Sequence, residues 1–313
     1  MHGVTGRPLH SEGVVAARPA VHAVWPGVLL AVLGSIAFSG KAIIVKLAYR
    51  HGVDAVTLIM YRMLFALPMF LLLAWWAGRG KPALTRRDRR MIFGLGFSGY
   101  YLASFLDFAG LQFISASLER LILYMNPTLV LLLGVFVFHR KVERRQLIAL
   151  AVSYCGVLLV FGHEVSLQGA HVALGAALVF GSAVSYAVYL AFSGEEVRRL
   201  GALRLTGLAT SVACGLCIVQ FLVLRPMAAA AVAPEVIWLS LLNATLCTFA
   251  PVLMVMMAIE RIGATLAAQT GMVGPLSTIL MGVLILGEPF TAWVAAGTTL
   301  VLAGIWLLAR ARV

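Results

Sequence analysis

One pattern occurs twice in this chain, 148 residues apart, and both copies lie in long apolar sequence. Ala116, Leu118, Pro127, Leu132, Gly134, Val135, Gly156 and Leu159 return as Ala264, Leu266, Pro275, Leu280, Gly282, Val283, Gly304 and Leu307. Each copy reads as an apolar span carrying a proline, a short polar break and a second span. A period near half the chain length marks a duplication, since solenoids repeat at roughly 20–50 residues. Duplicated halves inside a membrane are the usual build of secondary transporters, with the substrate between the halves near the midplane. A carrier of small molecules is the first reading.

Of the 313 residues, 62% are hydrophobic and 12% charged, whereas a soluble chain carries about 25% charge. Ten apolar runs emerge, from Trp25–Ala48 to Phe290–Leu308, with the ninth at Ala264–Leu286. Most are long enough, at roughly 18–25 residues, to cross a hydrocarbon core about 30 Å thick. Backbone groups must be satisfied within lipid, and runs so long and uniformly apolar are helices rather than barrel strands. The expected fold is an all-α integral membrane protein of ten transmembrane helices. Residues 1–23 lack periodicity and read as a cytoplasmic tail. The run that follows is too long for a signal peptide and reads as a retained first helix.

The net charge of +12 could suggest nucleic acid, but the basic residues sit in short loops between apolar runs. There they act as topology signals, and no nucleic-acid partner is expected. Eighteen of the 24 Lys and Arg residues fall on one side, among them Arg86, Arg87, Arg89 and Arg90. The positive-inside rule then places both termini in the cytoplasm, with the protein in the inner membrane. Because five spans per half is an odd number, the second half enters from the opposite side. Two inverted five-helix repeats follow, over 24–162 and 169–310. Cys155, Cys214, Cys217 and Cys247 all lie in apolar runs, so the Cys214-x-x-Cys217 pair is read as packing rather than redox chemistry. No cofactor and no metal site is expected.

Several stretches carry a family likeness. They are Phe38-Ser39-Gly40-Lys41-Ala42, Leu118-Glu119-Arg120-Leu121 running to Asn126-Pro127, Val273-Gly274-Pro275, and Leu286-Gly287-Glu288-Pro289. With them the chain resembles the EamA-type transporters of the drug/metabolite transporter superfamily, over about Trp25 to Leu308. The resemblance implies two EamA repeats and an exporter of amino acids or similar metabolites. The family's Gly-Glu pair is present as Gly287-Glu288, but its first-half counterpart is His139-Arg140.

The ionisable residues at membrane depth are Lys41, Arg62, Asp107, Glu119 and Arg120, all expected in the outer half. A charge in hydrocarbon costs at least about 2.5–3.5 kcal/mol, so each needs a cavity or a partner. The set sums to +1, and the equivalent positions in the second half are apolar or neutral: Val255 stands for Asp107, Ala267 for Glu119. One reading is a polar site that binds a carboxylate or passes a proton or other coupling ion. The other is a structural network in which Lys41 or Arg62 pairs with Asp107 and Glu119. Helical spacing also groups Phe97, Tyr100, Ser104 and Asp107 on span three, Ser182, Tyr186 and Tyr189 on span six, and Thr270, Gly274 and Ser277 on span nine. Such stripes glue helices together or line a cavity. Pro127 and Pro275, at matched positions, are candidate hinges.

Gly96-Phe97-Ser98-Gly99 matches the G-x-S-G of intramembrane serine proteases, but no histidine lies mid-membrane to serve as its base. The reading is a non-enzymatic carrier of a small organic metabolite working by alternating access in the lipid bilayer. An intramembrane enzyme and a non-transporting membrane partner are the alternatives. Substrate, direction and oligomeric state are left open by the sequence.

Overall fold

A computed structural model describes residues 21–137, 139, 143–271 and 273–310. The described chain is helical, with eight helices long and apolar enough to cross a membrane: α1 (Trp25–Tyr49), α2 (Ala55–Gly78), α3 (Arg86–Leu111), α4 (Ala116–Phe136), α5 (Arg144–Ser166), α6 (His171–Leu200), α7 (Ala202–Leu224) and α8 (Pro234–Ile262). Two shorter apolar helices follow, α9 (Val273–Leu286) and α10 (Ala292–Leu307).

Short polar caps cut the apolar sequence into these pieces. Asp54 caps α2, accepting from Val56 N at 3.0 Å and Thr57 Oγ1 at 2.6 Å. Partial burial works against ionisation of Asp54, but bonds from Thr57 and the Arg225 cation hold its carboxyl below the usual pKa. Thr85 and Asp88 form a capping box at the start of α3. Gly201, at φ +85, ends α6 and lets α7 begin at once.

The break expected before a ninth span at Ala264 is not there, because the eighth helix continues to Thr270. In the first copy, Ser115 stops the chain and caps α4 by accepting from Leu118 N at 3.0 Å. Gly263 holds the equivalent position in the second copy and has no side chain with which to cap. The helix runs on and α9 starts at Val273.

Packing pairs helices that are distant in sequence: α1 lies on α8, α2 on α7, α3 on α6 and α5 on α10. Small residues allow the close approaches. A Cβ on Gly156 would sit 2.6 Å from the Gly297 carbonyl of α10, and one on Gly110 would sit 2.7 Å from the Gly175 carbonyl of α6. Two apolar clusters result, one around Ile59 and Phe70 and one around Leu121 and Val160. The outer surface stays apolar, with Leu72 63%, Val223 75% and Leu284 73% exposed, a surface that suits lipid and not water. Trp25, Trp75, Trp76, Trp238, Trp293 and Trp306 are all exposed and lie near helix ends, as in an interfacial aromatic belt. The protein is a membrane-embedded helical bundle.

Candidate functional site

Two helices are interrupted inside the bundle. In α4, Tyr124 and Met125 both have ψ of −6°, and the helix restarts at Asn126 with Pro127 in its first turn. Proline lacks an N–H and its ring clashes with the carbonyl four residues back, that of Leu123, so the helix yields in the turn before Pro127. Before α9 the chain turns at Gly271, again ahead of its proline, Pro275. The two interruptions touch: the Tyr124 hydroxyl donates to the Gly271 carbonyl at 3.1 Å. Helix α1 closes the third side, with Ser39 Oγ donating to Gly274 O at 2.8 Å. A Cβ at Gly274 would meet Tyr124 Oη at 2.7 Å, so only glycine permits this contact.

The charged residues converge beside this junction, each at most 5% exposed. Lys41 Nζ donates to Asp107 Oδ2 at 2.5 Å and lies 3.1 Å from Glu119 Oε1. The Glu119 contact is an ion pair without hydrogen-bond geometry, and among the described residues both Glu119 oxygens and Asp107 Oδ1 lack a hydrogen-bond donor. Of the two cations expected to pair with these acids, Lys41 takes both. Arg62 instead donates from Nε to Thr248 Oγ1 at 3.0 Å and stands 5.1 Å from the Phe108 ring centre. Its Nη1 is buried with no acceptor among the described residues. Arg120 donates from Nε to Thr278 Oγ1 at 2.8 Å and lies 5.6 Å from the ring centre of Phe38, which Lys41 also approaches. Among the described residues neither guanidinium has an ion-pair partner. The Lys41 trio therefore sums to −1, with two unpaired guanidinium charges beside it.

Two adjoining cavities occupy the space between these groups. The smaller, about 320 Å³, is lined by Lys41, Arg62, Asp107, Ser104 and Thr210. The larger, about 550 Å³, carries Tyr189, Ser193 and Thr206 and reaches Val197 and Ile259, toward the end of the bundle with the α6–α7 turn. Phe38, Tyr100, Arg120, Tyr124 and Tyr186 border both. Tyr100 and Tyr189 meet hydroxyl to hydroxyl at 3.1 Å, and Tyr186 stacks on Tyr189 at 5.5 Å. Guanidinium groups set among aromatic rings suit a ligand with an anionic end and an apolar body.

The structure thus brings Lys41, Arg62, Tyr100, Ser104, Asp107, Arg120, Tyr186 and Tyr189 to one cavity system, with Glu119 directly behind it. Thr270 and Ser277 lie away from it. Each hydroxyl donates back into its own helix, to Leu266 O at 2.7 Å and Val273 O at 2.9 Å. Phe97 also leaves the expected face of α3 and is 41% exposed. Phe97–Leu102 is a π-helical turn whose extra residue rotates the preceding face outward. A second π-turn, Thr245–Phe249 in α8, begins 148 residues after the first and presents Thr248 to Arg62. Ser98 of the protease-like motif donates its hydroxyl to Gly94 O at 3.0 Å, an ordinary helix-internal bond.

Thr248, Phe38, Tyr124 and Thr278 are polar or aromatic partners that the stripes did not single out. The one sequence signal for Thr248 is its repeat position, since it stands where Tyr100 stands in the first half.

Family models decide the identity. The model of the EamA-like transporter family matches twice, over residues 25–162 and 173–310. The chain belongs to the EamA-like transporter family. An uncharacterized transporter, YcbK of Bacillus subtilis, is 30% identical over 275 residues, which is 84% of this chain and 86% of its own length. A probable amino-acid metabolite efflux pump of Salmonella typhimurium is 29% identical over 164 residues, 50% of each chain. One solved crystal structure at 18% identity superposes with a TM-score of 0.61 over 93% of this chain and 98% of its own, a likeness of fold. The family and these relatives alike are named for transport.

Proposed function

We propose that the protein is a secondary carrier that exports a small organic anion, an amino acid or related carboxylate, across the inner membrane by alternating access. The observation that carries this reading is Arg62 Nη1, a buried cationic donor at the wall of a cavity that has no acceptor among the described residues. A buried unpaired charge of this kind is costly unless a ligand meets it. A substrate carboxylate between Arg62 and Arg120 would supply the missing acceptors, and the tyrosines and Phe38 would pack its apolar body. The efflux-pump relative supports the amino-acid class. Comparison of extracellular and intracellular metabolites in cells with and without the protein tests this; an unchanged profile of carboxylates would sink it.

In the same reading α9 and α10 complete ten spans, arranged as two inverted five-helix halves. The packing supports it, because exchanging the halves maps α1–α8 contacts onto α6–α3 and returns α2–α7 and α5–α10 to themselves. The matched π-turns and matched helix breaks support it as well. Both termini then face the cytoplasm. A cytoplasmic-type reporter fused after Val313 should be active, and activity of a periplasmic-type reporter there would remove the inverted arrangement.

Protons are the proposed coupling ion. Two carboxylates share one ammonium and keep oxygens without donors, which leaves a place for a proton when Lys41 shifts. No protein partner and no cofactor enters this scheme.

A further inference from the structure

At the end of the bundle formed by the ends of α1, α3 and α9, side chains around a cavity of about 480 Å³ bond to backbone groups at helix termini. Lys46 donates to the Ile114 carbonyl at 2.7 Å, and Arg50 to the Leu286 carbonyl at 2.8 Å. Glu164, at the end of α5, accepts from Ser115, a bond within the first half of the chain. Besides the exposed Asp54–Arg225 pair, Glu288 makes a carboxylate link between the halves. From just beyond α9 its Oε1 accepts from Ala116 N at 2.7 Å, and its Oε2 from Ser117 Oγ at 2.9 Å and Ser117 N at 3.3 Å. Gly287, at φ +73, turns the chain so that this carboxylate folds back over Gly282. An anion on the first amides of a helix meets both the free N–H groups and the positive end of the helix dipole.

Among the described residues the other end of the bundle shows no counterpart of this contact. The position 148 residues before Glu288 is Arg140, a cation. The amides equivalent to Ala116 and Ser117 belong to Ala264 and Thr265, which lie inside the continuous helix Ala250–Thr270 and so expose no helix start to cap. The larger cavity reaches away from Glu288, toward the end with the α6–α7 turn.

We infer that Glu288 is a one-sided gate latch: capping of α4 by Glu288 closes this face, and release of the cap opens the charged chamber to it. This rests on the alternating-access reading above. The capped segment, Ala116–Leu123, also carries Glu119 and Arg120. Its departure from Glu288 therefore withdraws Glu119 from Lys41 and Arg120 from Thr278 in one movement. Latch and charged site form one mechanical unit.

The test uses the full-length protein in lipid nanodiscs and needs no substrate. Glu288→Gln keeps the shape and one acceptor but removes the charge, and should raise amide hydrogen exchange across 115–121 about tenfold, the scale of a lost charge-assisted cap. Exchange in α5 and α10 should not change. Ser117→Ala, which removes only the hydroxyl partner, should give a smaller rise in the same segment. A cysteine placed at Ala103, on the chamber wall, should react faster with a membrane-impermeant thiol reagent added at the Glu288 face once Glu288→Gln is present. Unchanged exchange and unchanged labelling would overturn the latch. Should Glu288→Gln raise exchange in every helix, the variant is unfolding and Ser117→Ala decides: a local rise supports the latch and none refutes it. A local opening in a protein that moves no carboxylate would refute the carrier reading alone.

Discussion

Arg62→Met is expected to leave the unfolding temperature nearly unchanged while reducing carboxylate transport by at least about 30-fold, the scale of losing one partner of a buried charge pair. The stability side follows from what Arg62 touches in the unliganded protein. The substitution gives up one hydrogen bond to Thr248 and the contact with the Phe108 ring. Those contribute about 1.5–3 kcal/mol, the donor being charged, and about 0.5–2 kcal/mol. Against them stands relief from a buried cation without a carboxylate partner, at least about 2.5 kcal/mol. Methionine fills much of the vacated volume. The transport side follows from the proposed ligand, whose carboxylate would lose its fork of donors. Arg62→Lys should not restore transport, because a lysine ammonium cannot reproduce that fork. Thermal unfolding in detergent and uptake into proteoliposomes check the two halves separately. A variant that unfolds early yet transports normally would make Arg62 a structural residue and remove the basis of the proposed site.

This separation of stability from function shows where sequence reasoning reached and where it stopped. The charged set was legible because a buried ionisable residue in lipid demands an explanation by itself. Which cation holds the acids was not, since Lys41 and Arg62 both lie within reach along their helices and only tertiary packing chooses between them. The stripe on α3 was legible from Tyr100 to Asp107 but not at Phe97, because spacing rules assume a uniform α-helix and a π-turn breaks them. Span nine failed for a related reason. A stripe through Thr270 assumes one helix from Ala264, yet the chain turns at Gly271, and of the three residues Gly274 alone borders either of the two described cavities. Apolar runs report that helices exist. Their breaks depend on caps such as Ser115, which the second copy replaced with Gly263.

Lys41→Met should be the most destabilising single change in the charged site. It would leave Asp107 and Glu119 buried side by side with no ammonium between them, a loss of about 3–5 kcal/mol for a stranded charge. Asp107→Asn should be far milder, because Lys41 keeps Glu119 at 3.1 Å as its counter-charge. That asymmetry is specific to a shared ammonium; a simple Lys41–Asp107 pair would make the two variants equally damaging. The triple variant Lys41→Met, Asp107→Asn, Glu119→Gln removes all three charges and should recover most of the lost stability, since an absent ion pair costs less than a broken one. Function should not return with it. Asp107→Asn and the triple variant should both exchange substrate across the membrane without accumulating it in response to a pH gradient, because the carboxylates that would take up a proton are altered or absent. Tyr49, Arg62 and Arg120, the other polar groups around the acids, remain in every variant. Expression level, unfolding temperature and pH-driven uptake measured on one set of membranes distinguish the outcomes. Full pH-driven uptake by a well-folded Asp107→Asn protein would exclude Asp107 as the proton carrier, and a Lys41→Met protein as stable as the wild type would exclude the shared ammonium.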